Sequence, residues 1–168
     1  VVKSDDDDGI WHVADYPAAA FLIRSHTVEA GKQLFRRLYD SLPVSDDDEE
    51  PMMNIIAWLS GDAIPSVVLP RRKHRPACYT AEGDGQYMIS PGAVDMGGLI
   101  ITPREQDFRR LTPELIINIY RELSITPEQM QQVIARLQRH PLVSQPSPFT
   151  SKSQPNVNVG FVSGQKII

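Results

Sequence analysis

Apolar positions along this chain follow two rhythms. In IWHVADY (10–16) and AAAFLIRS (18–25) they alternate or run together on either side of Tyr16-Pro17, which predicts two strands. From Thr27 the step lengthens. Val28, Leu34, Phe35, Leu38 and Leu42 recur every three or four residues, the buried face of a helix with Thr27 as its N-cap and Pro43 as its stop. MMNIIAWL, a Ser60-Gly61-Asp62 turn and PSVVLP then read as an antiparallel pair. Two further strands are expected at QYMIS (86–90) and LIIT (99–102), separated by PGAVDMGG. LTPELIINIYREL and ITPEQMQQVIARLQRH each place threonine at a cap, proline at the first helical position and glutamate in the first turn. Thr126 and Gln129 have capping-box spacing. The pattern predicts an α+β fold, a mainly antiparallel sheet with helices packed against it.

The ends read differently. Residues 1–8 form an acidic lead-in, and the unit with a core runs from 9 to 141. Residues 142–155, rich in Pro, Ser, Thr and Gln, read as a linker. Residues 156–168 alternate like a strand without a partner, the start of a following segment that is cut off. With no methionine at residue 1, the chain reads as a piece of something longer.

Charge narrows the function. Seventeen Lys and Arg against 21 Asp and Glu give a formal charge of −4, which argues against a general nucleic-acid or membrane-surface binder. No apolar run approaches the roughly 20 residues that cross a bilayer. The single cysteine, Cys78, allows no internal disulfide and points to a reducing, cytoplasmic setting. His12, His26, His74 and His140 lack ligand-like spacing, so neither metal nor cofactor is expected. SDDDEE (45–50) neither alternates its carboxylates nor offers the glycine turn of a calcium loop.

Against that acidic total, VVLPRRKHRP (67–76) concentrates positive charge where a strand leaves the sheet. Arg71, Arg72, Lys73 and Arg75 suit an anion site, with His74 as a further phosphate donor or a general base. The same residues also suit a solvated turn paired with acidic loops. In SPGAVDMGG, Asp95 is open to accepting a sugar hydroxyl or to capping the turn. Gly97-Gly98 permit close approach or positive φ. Basic neighbours could lower the pKa of Cys78, but with no partner base in evidence it reads as a small buried or inert thiol. No catalytic constellation can be assembled from the order of residues.

The succession MNIIAW, VVLPRRKHRP and SPGAVDMGGLIITP resembles the C-terminal half of diadenosine-polyphosphate phosphorylases, or ATP adenylyltransferases, of the histidine-triad superfamily. An uncharacterised bacterial family common in gut Bacteroidetes is more similar still. The resemblance covers about residues 51 to 125. It implies a histidine-triad-like half domain, in which Arg71 holds the motif position, Arg72, Lys73, His74 and Arg75 are neighbours for substrate phosphates, and Asp95, Gly97 and Gly98 match the small-residue segment. The superfamily's nucleophile sits in a His-x-His-x-His or His-x-His-x-Gln strand, and this chain has none. The resemblance therefore implies a non-catalytic half of a nucleotidyltransferase or nucleotide phosphorylase, with a nucleotide or sugar nucleotide as ligand and a preceding half domain as partner. The alternative is a degenerate module that docks a neighbouring domain or subunit, or forms a homo-oligomer, without nucleotide. Separately, QPNVNVGFVSG (154–164) resembles the entry strand of bacterial domains that act on the cell wall or activate its enzymes.

Overall fold

The computed structural model describes residues 8–61, 63–139 and 164–167. Its centre is an antiparallel sheet of five strands, β1 (Gly9–Val13), β2 (Phe21–Arg24), β3 (Met53–Ala57), β4 (Ser66–Pro70) and β5 (Gly164–Lys166), in the order β3-β4-β2-β1-β5. Between β1 and β2, Asp15 takes a φ of 58°. Aspartate is among the few residues besides glycine that visit this region, because a short polar side chain can hydrogen-bond locally.

Period-two alternation splits the sheet's side chains between two cores. Ile10, Phe21, Ile23 and Val68 face helices α1 (Val28–Ser41) and α6 (Pro127–Arg139), where Leu34, Leu38, Val133 and Leu137 are buried. On the other face Val13, Leu22 and Leu69 meet Ile119, Tyr120 and Leu123 of α5 (Pro113–Leu123). Burying each large side chain contributes about 1.5–3 kcal/mol before entropy is counted.

Helix ends follow the expected chemistry. Thr27 accepts from the Ala30 N–H and Thr112 from that of Leu115. Thr126 and Gln129 exchange side-chain and backbone bonds, a complete capping box.

The segment after β4 departs from expectation. Neither 86–90 nor 99–102 is a strand. The chain instead forms α2 (Ala77–Thr80), a 3-10 turn (Gly83–Gly85), α3 (Ala93–Met96) and α4 (Glu105–Arg110). β4 itself is flanked by β3 and β2, and the returning chain pairs with neither of them. Its backbone groups are satisfied locally: Tyr87 N–H donates to the Cys78 carbonyl, Met88 N–H to Asp107 and Ile101 N–H to Asp95.

The unpartnered C-terminal strand is a second correction. Gly164, Gln165 and Lys166 pair with Val13, His12 and Trp11, and Ile167 N–H donates to the Ile10 carbonyl at 2.8 Å. Ile167 also packs on the first core. β1 therefore supplies an edge that local pattern does not disclose. The acidic lead-in up to residue 7, the domain end near 141, the linker 142–155 and the cell-wall-like stretch up to residue 163 lie outside the described residues.

Candidate functional site

Val67 and Leu69 of β4 face the second core, and the same alternation carries Arg71 to that side. Arg71 is 7% exposed. Its Nε donates to the Lys73 carbonyl at 3.1 Å, its Nη2 to the His74 carbonyl at 2.8 Å and its Nη1 to the Pro91 carbonyl. Burial lowers the guanidinium's pKa from its ordinary value, and the Asp95 carboxylate opposes that shift. The backbone is held as firmly. Arg71 N–H donates to the Met52 carbonyl at 2.8 Å and Arg72 N–H to the Leu123 carbonyl at 2.9 Å.

This staple orients the loop that follows. In a trans peptide, N–H points opposite to C=O. Turning the Lys73 and His74 carbonyls toward Arg71 therefore turns the His74 and Arg75 N–H groups away from it. Among the described residues, the N–H groups of Lys73, His74 and Arg75 have no internal acceptor. The side chains of Arg72, Lys73, His74 and Arg75 are exposed on the same loop.

Their bases are anchored. Arg72 Nε donates to the Glu122 carbonyl at 2.9 Å, and the Arg75 guanidinium lies 4.3 Å from the centre of the Tyr79 ring. Lys73 Nζ and the Ala77 N–H both reach Glu122 Oε1, at 2.8 and 2.9 Å. Burial pushes the Glu122 carboxyl up, but these bonds and the nearby charges of Lys73 and Arg72 outweigh it and hold the group below its ordinary range.

Arg71 also joins the two motifs singled out in the sequence. Pro91, its acceptor, opens the turn that Asp95 closes: Asp95 Oδ2 accepts from Gly92 N–H at 2.9 Å and Oδ1 from Ile101 N–H at 2.8 Å. Tyr120 donates its hydroxyl to the Asp95 carbonyl and Tyr16 to the Met96 carbonyl. Burial, reinforced by Asp95 for Tyr120 and by Tyr120 for Tyr16, pushes both phenols up to about 12, so they remain donors. A Cβ at Gly97 would sit 3.2 Å from both Ile56 Cδ1 and the Val94 carbonyl oxygen, and Gly98 has a φ of 107°. Asp95 here caps the turn, while Gly97 and Gly98 supply its close approach and its backbone angle.

Beside this turn lies a half-open apolar groove of about 310 Å³, lined by Ile56, Trp58, Val67, Leu69, Met96 and Gly97 among others. Leu59, Ile64 and Val94 are also exposed.

The histidines lie apart in the fold: His12 is in β1, His26 bonds Asp8 at 2.7 Å, and His74 is in the basic loop. His140 lies outside the described residues. Among the described residues no group of three His, Cys, Asp or Glu side chains could hold a metal, and no helix is long and apolar enough to cross a membrane. At Cys78 the neighbouring cations do not prevail: burial first, then the Glu122 charge, push its thiol up, in line with an inert thiol.

Three residues of weight escaped the sequence reading. Glu122 and Tyr79 organise the basic loop from outside the motif. Asp107 is 0% exposed and gathers Arg104, Arg110 and the Met88 N–H. Its signal was present in REQDFRR, where Arg, Asp and Arg recur at three-residue steps on one helical face.

Comparison with models of known protein families, with curated proteins and with solved structures finds no match to the chain.

Proposed function

We propose that this chain is a non-catalytic binding module that holds a phosphate-bearing ligand at the loop 72–75. On this reading it is the supporting half of a nucleotidyltransferase- or nucleotide phosphorylase-like protein. The observation that carries it is the Arg71 staple, which turns two carbonyls inward and leaves adjacent N–H groups facing outward among Arg72, Lys73 and Arg75. Successive outward amides with fixed cations make an anion cradle. Arg71 orients the cradle from behind, so the ligand contacts fall to Arg72, Lys73, His74 and Arg75.

The test is a two-dimensional ¹H–¹⁵N titration with pyrophosphate, a nucleoside monophosphate and a sugar nucleotide. Amide signals of residues 73 to 75 should move with salt-sensitive affinity, and Arg72→Glu with Arg75→Glu should weaken binding at least roughly tenfold while leaving the fold intact. Amides that stay still up to about 10 mM of every ligand, near the weak end of specific binding, would defeat the reading.

The apolar groove favours a second reading, docking of an apolar surface from a neighbouring domain or subunit. Trp58 is 36% exposed at that groove. If a second copy fills it, sedimentation equilibrium should show self-association that Trp58→Ser weakens roughly tenfold, a hot-spot-sized effect. A monomer at all concentrations excludes the second copy.

A further inference from the structure

The sheet ends on β3, and the outer edge of that strand is bare. Arg71 N–H donates to the Met52 carbonyl and Trp58 N–H to the Pro65 carbonyl, which fixes the ladder: β3 bonds to β4 through Asn54 and Ile56. Met53, Ile55 and Ala57 therefore direct their N–H and C=O groups away from β4. Among the described residues nothing bonds to them there. Edge strands are commonly protected by a lysine, an inward charge or a proline. Residues 52–60 have none of these, and Ile55 is 43% exposed and Leu59 81%. We infer that β3 is a strand-addition site whose occupant is the β3 of a second copy of this chain, paired antiparallel across a two-fold axis at Ile55.

The occupant follows from complementarity. An added antiparallel strand must itself present free N–H and C=O groups at every second residue, and β3 does. With Ile55 on the axis, Met53 of one copy lies opposite Ala57 of the other and Ile55 opposite Ile55, each pair exchanging two main-chain hydrogen bonds. Leu59 then falls across from Pro51, which extends the apolar contact past the strand ends. Charge agrees. The chain carries −4, yet residues 51–60 carry no charge, so no like charges face one another along the paired stretch. The contact is isologous and closes at two copies. It deepens the subunit-docking reading by placing the second copy on the edge of β3 instead of in the apolar groove, and it is independent of the anion site.

Amide hydrogen exchange from about 20 µM to about 1 mM protein tests this, alongside sedimentation equilibrium. The Met53, Ile55 and Ala57 amides should gain protection roughly tenfold or more as the dimer forms. Ile55→Lys sets two like charges face to face on the axis, at a position exposed enough to leave the fold intact. It should weaken the dimer roughly tenfold or more and remove that protection. A chain that stays monomeric to about 1 mM overturns the inference, and with it any second copy in the groove. A dimer that Trp58→Ser weakens, but in which these amides stay unprotected, overturns the edge pairing and leaves the groove reading standing.

Discussion

Asp107→Asn is expected to lower the unfolding free energy by roughly 3 kcal/mol, the size seen when a buried charge network loses one member. The Asp107 carboxylate is 0% exposed and accepts from Arg104 Nε at 2.8 Å, Arg104 Nη2 and Arg110 Nη2 at 3.1 Å, and the Met88 N–H at 2.9 Å. Asparagine offers one carbonyl oxygen and turns an NH₂ toward guanidinium donors, so two contacts become repulsive and Arg104 and Arg110 lose their counter-charge. Arg110 also donates to the Asp84 and Gln86 carbonyls and lies 4.5 Å from the centre of the Tyr87 ring, so the segment 84–88 should loosen with it.

Acid titration supplies a second signature of the same residue. The Arg104 hydrogen bonds, aided by Met88 and Arg110 and opposed by burial, hold the Asp107 carboxyl down at about 2, against an ordinary 3.8. A depressed native pKa contributes stability that is fully present above the unfolded value and lost as pH falls through the native one. Here that contribution is about 2 kcal/mol, present above about pH 4 and gone below about pH 2. Urea unfolding should therefore show the wild-type advantage over Asp107→Asn shrinking across that window. A difference under about 1 kcal/mol at neutral pH would show that solvent substitutes for the network, as it does for surface pairs.

Arg71→Met should be as costly, about 3–4 kcal/mol, and should also abolish anion binding by a residue that touches no anion. Methionine fills the volume but leaves the carbonyls of Lys73, His74 and Pro91 without their donor. Arg71→Lys should recover little, because an ammonium cannot present the planar fork that reaches carbonyls on two separate segments. Thermal unfolding and hydrogen exchange check this together. The Arg72 amide, bonded to the Leu123 carbonyl, should lose protection as the loop detaches. If Arg71→Lys melts within about 1 °C of wild type, a shift corresponding to well under 1 kcal/mol for a domain of this size, the staple role is wrong.

These residues show why the candidate site was only partly legible. RRKHR in sequence is a run of equivalent cations. Packing separates them, burying Arg71 and exposing the next four, because the strand's alternation carries residue 71 inward while the chain leaves the sheet at residue 72. Glu122 lies 47 residues beyond Arg75 and meets the loop only because α5 ends beside β4, where Arg71 and Ser124 form an isolated bridge. No local spacing encodes that meeting. Asp95, Gly97 and Gly98 were legible as a turn because cap and glycine chemistry act within a few residues.

The helices α1, α5 and α6 and the strands β1 to β4 were all written locally, in periodicity, caps and turn residues whose interactions span four residues or fewer. The α+β class followed from them. Which strands were neighbours was not so written. QYMIS and LIIT carry strand-like patterns yet stay outside the sheet, with the Tyr87, Met88 and Ile101 N–H groups taken by Cys78, Asp107 and Asp95, while Gly164–Lys166 joins the sheet beside β1. A strand's pattern declares that it can pair; whether it does depends on which partners the rest of the chain brings to its N–H and C=O groups. The same division holds for charge. Residue type sets the sign, and the three-dimensional packing decides whether that charge is spent on its own carbonyls, as at Arg71, or left exposed, as at the four residues after it.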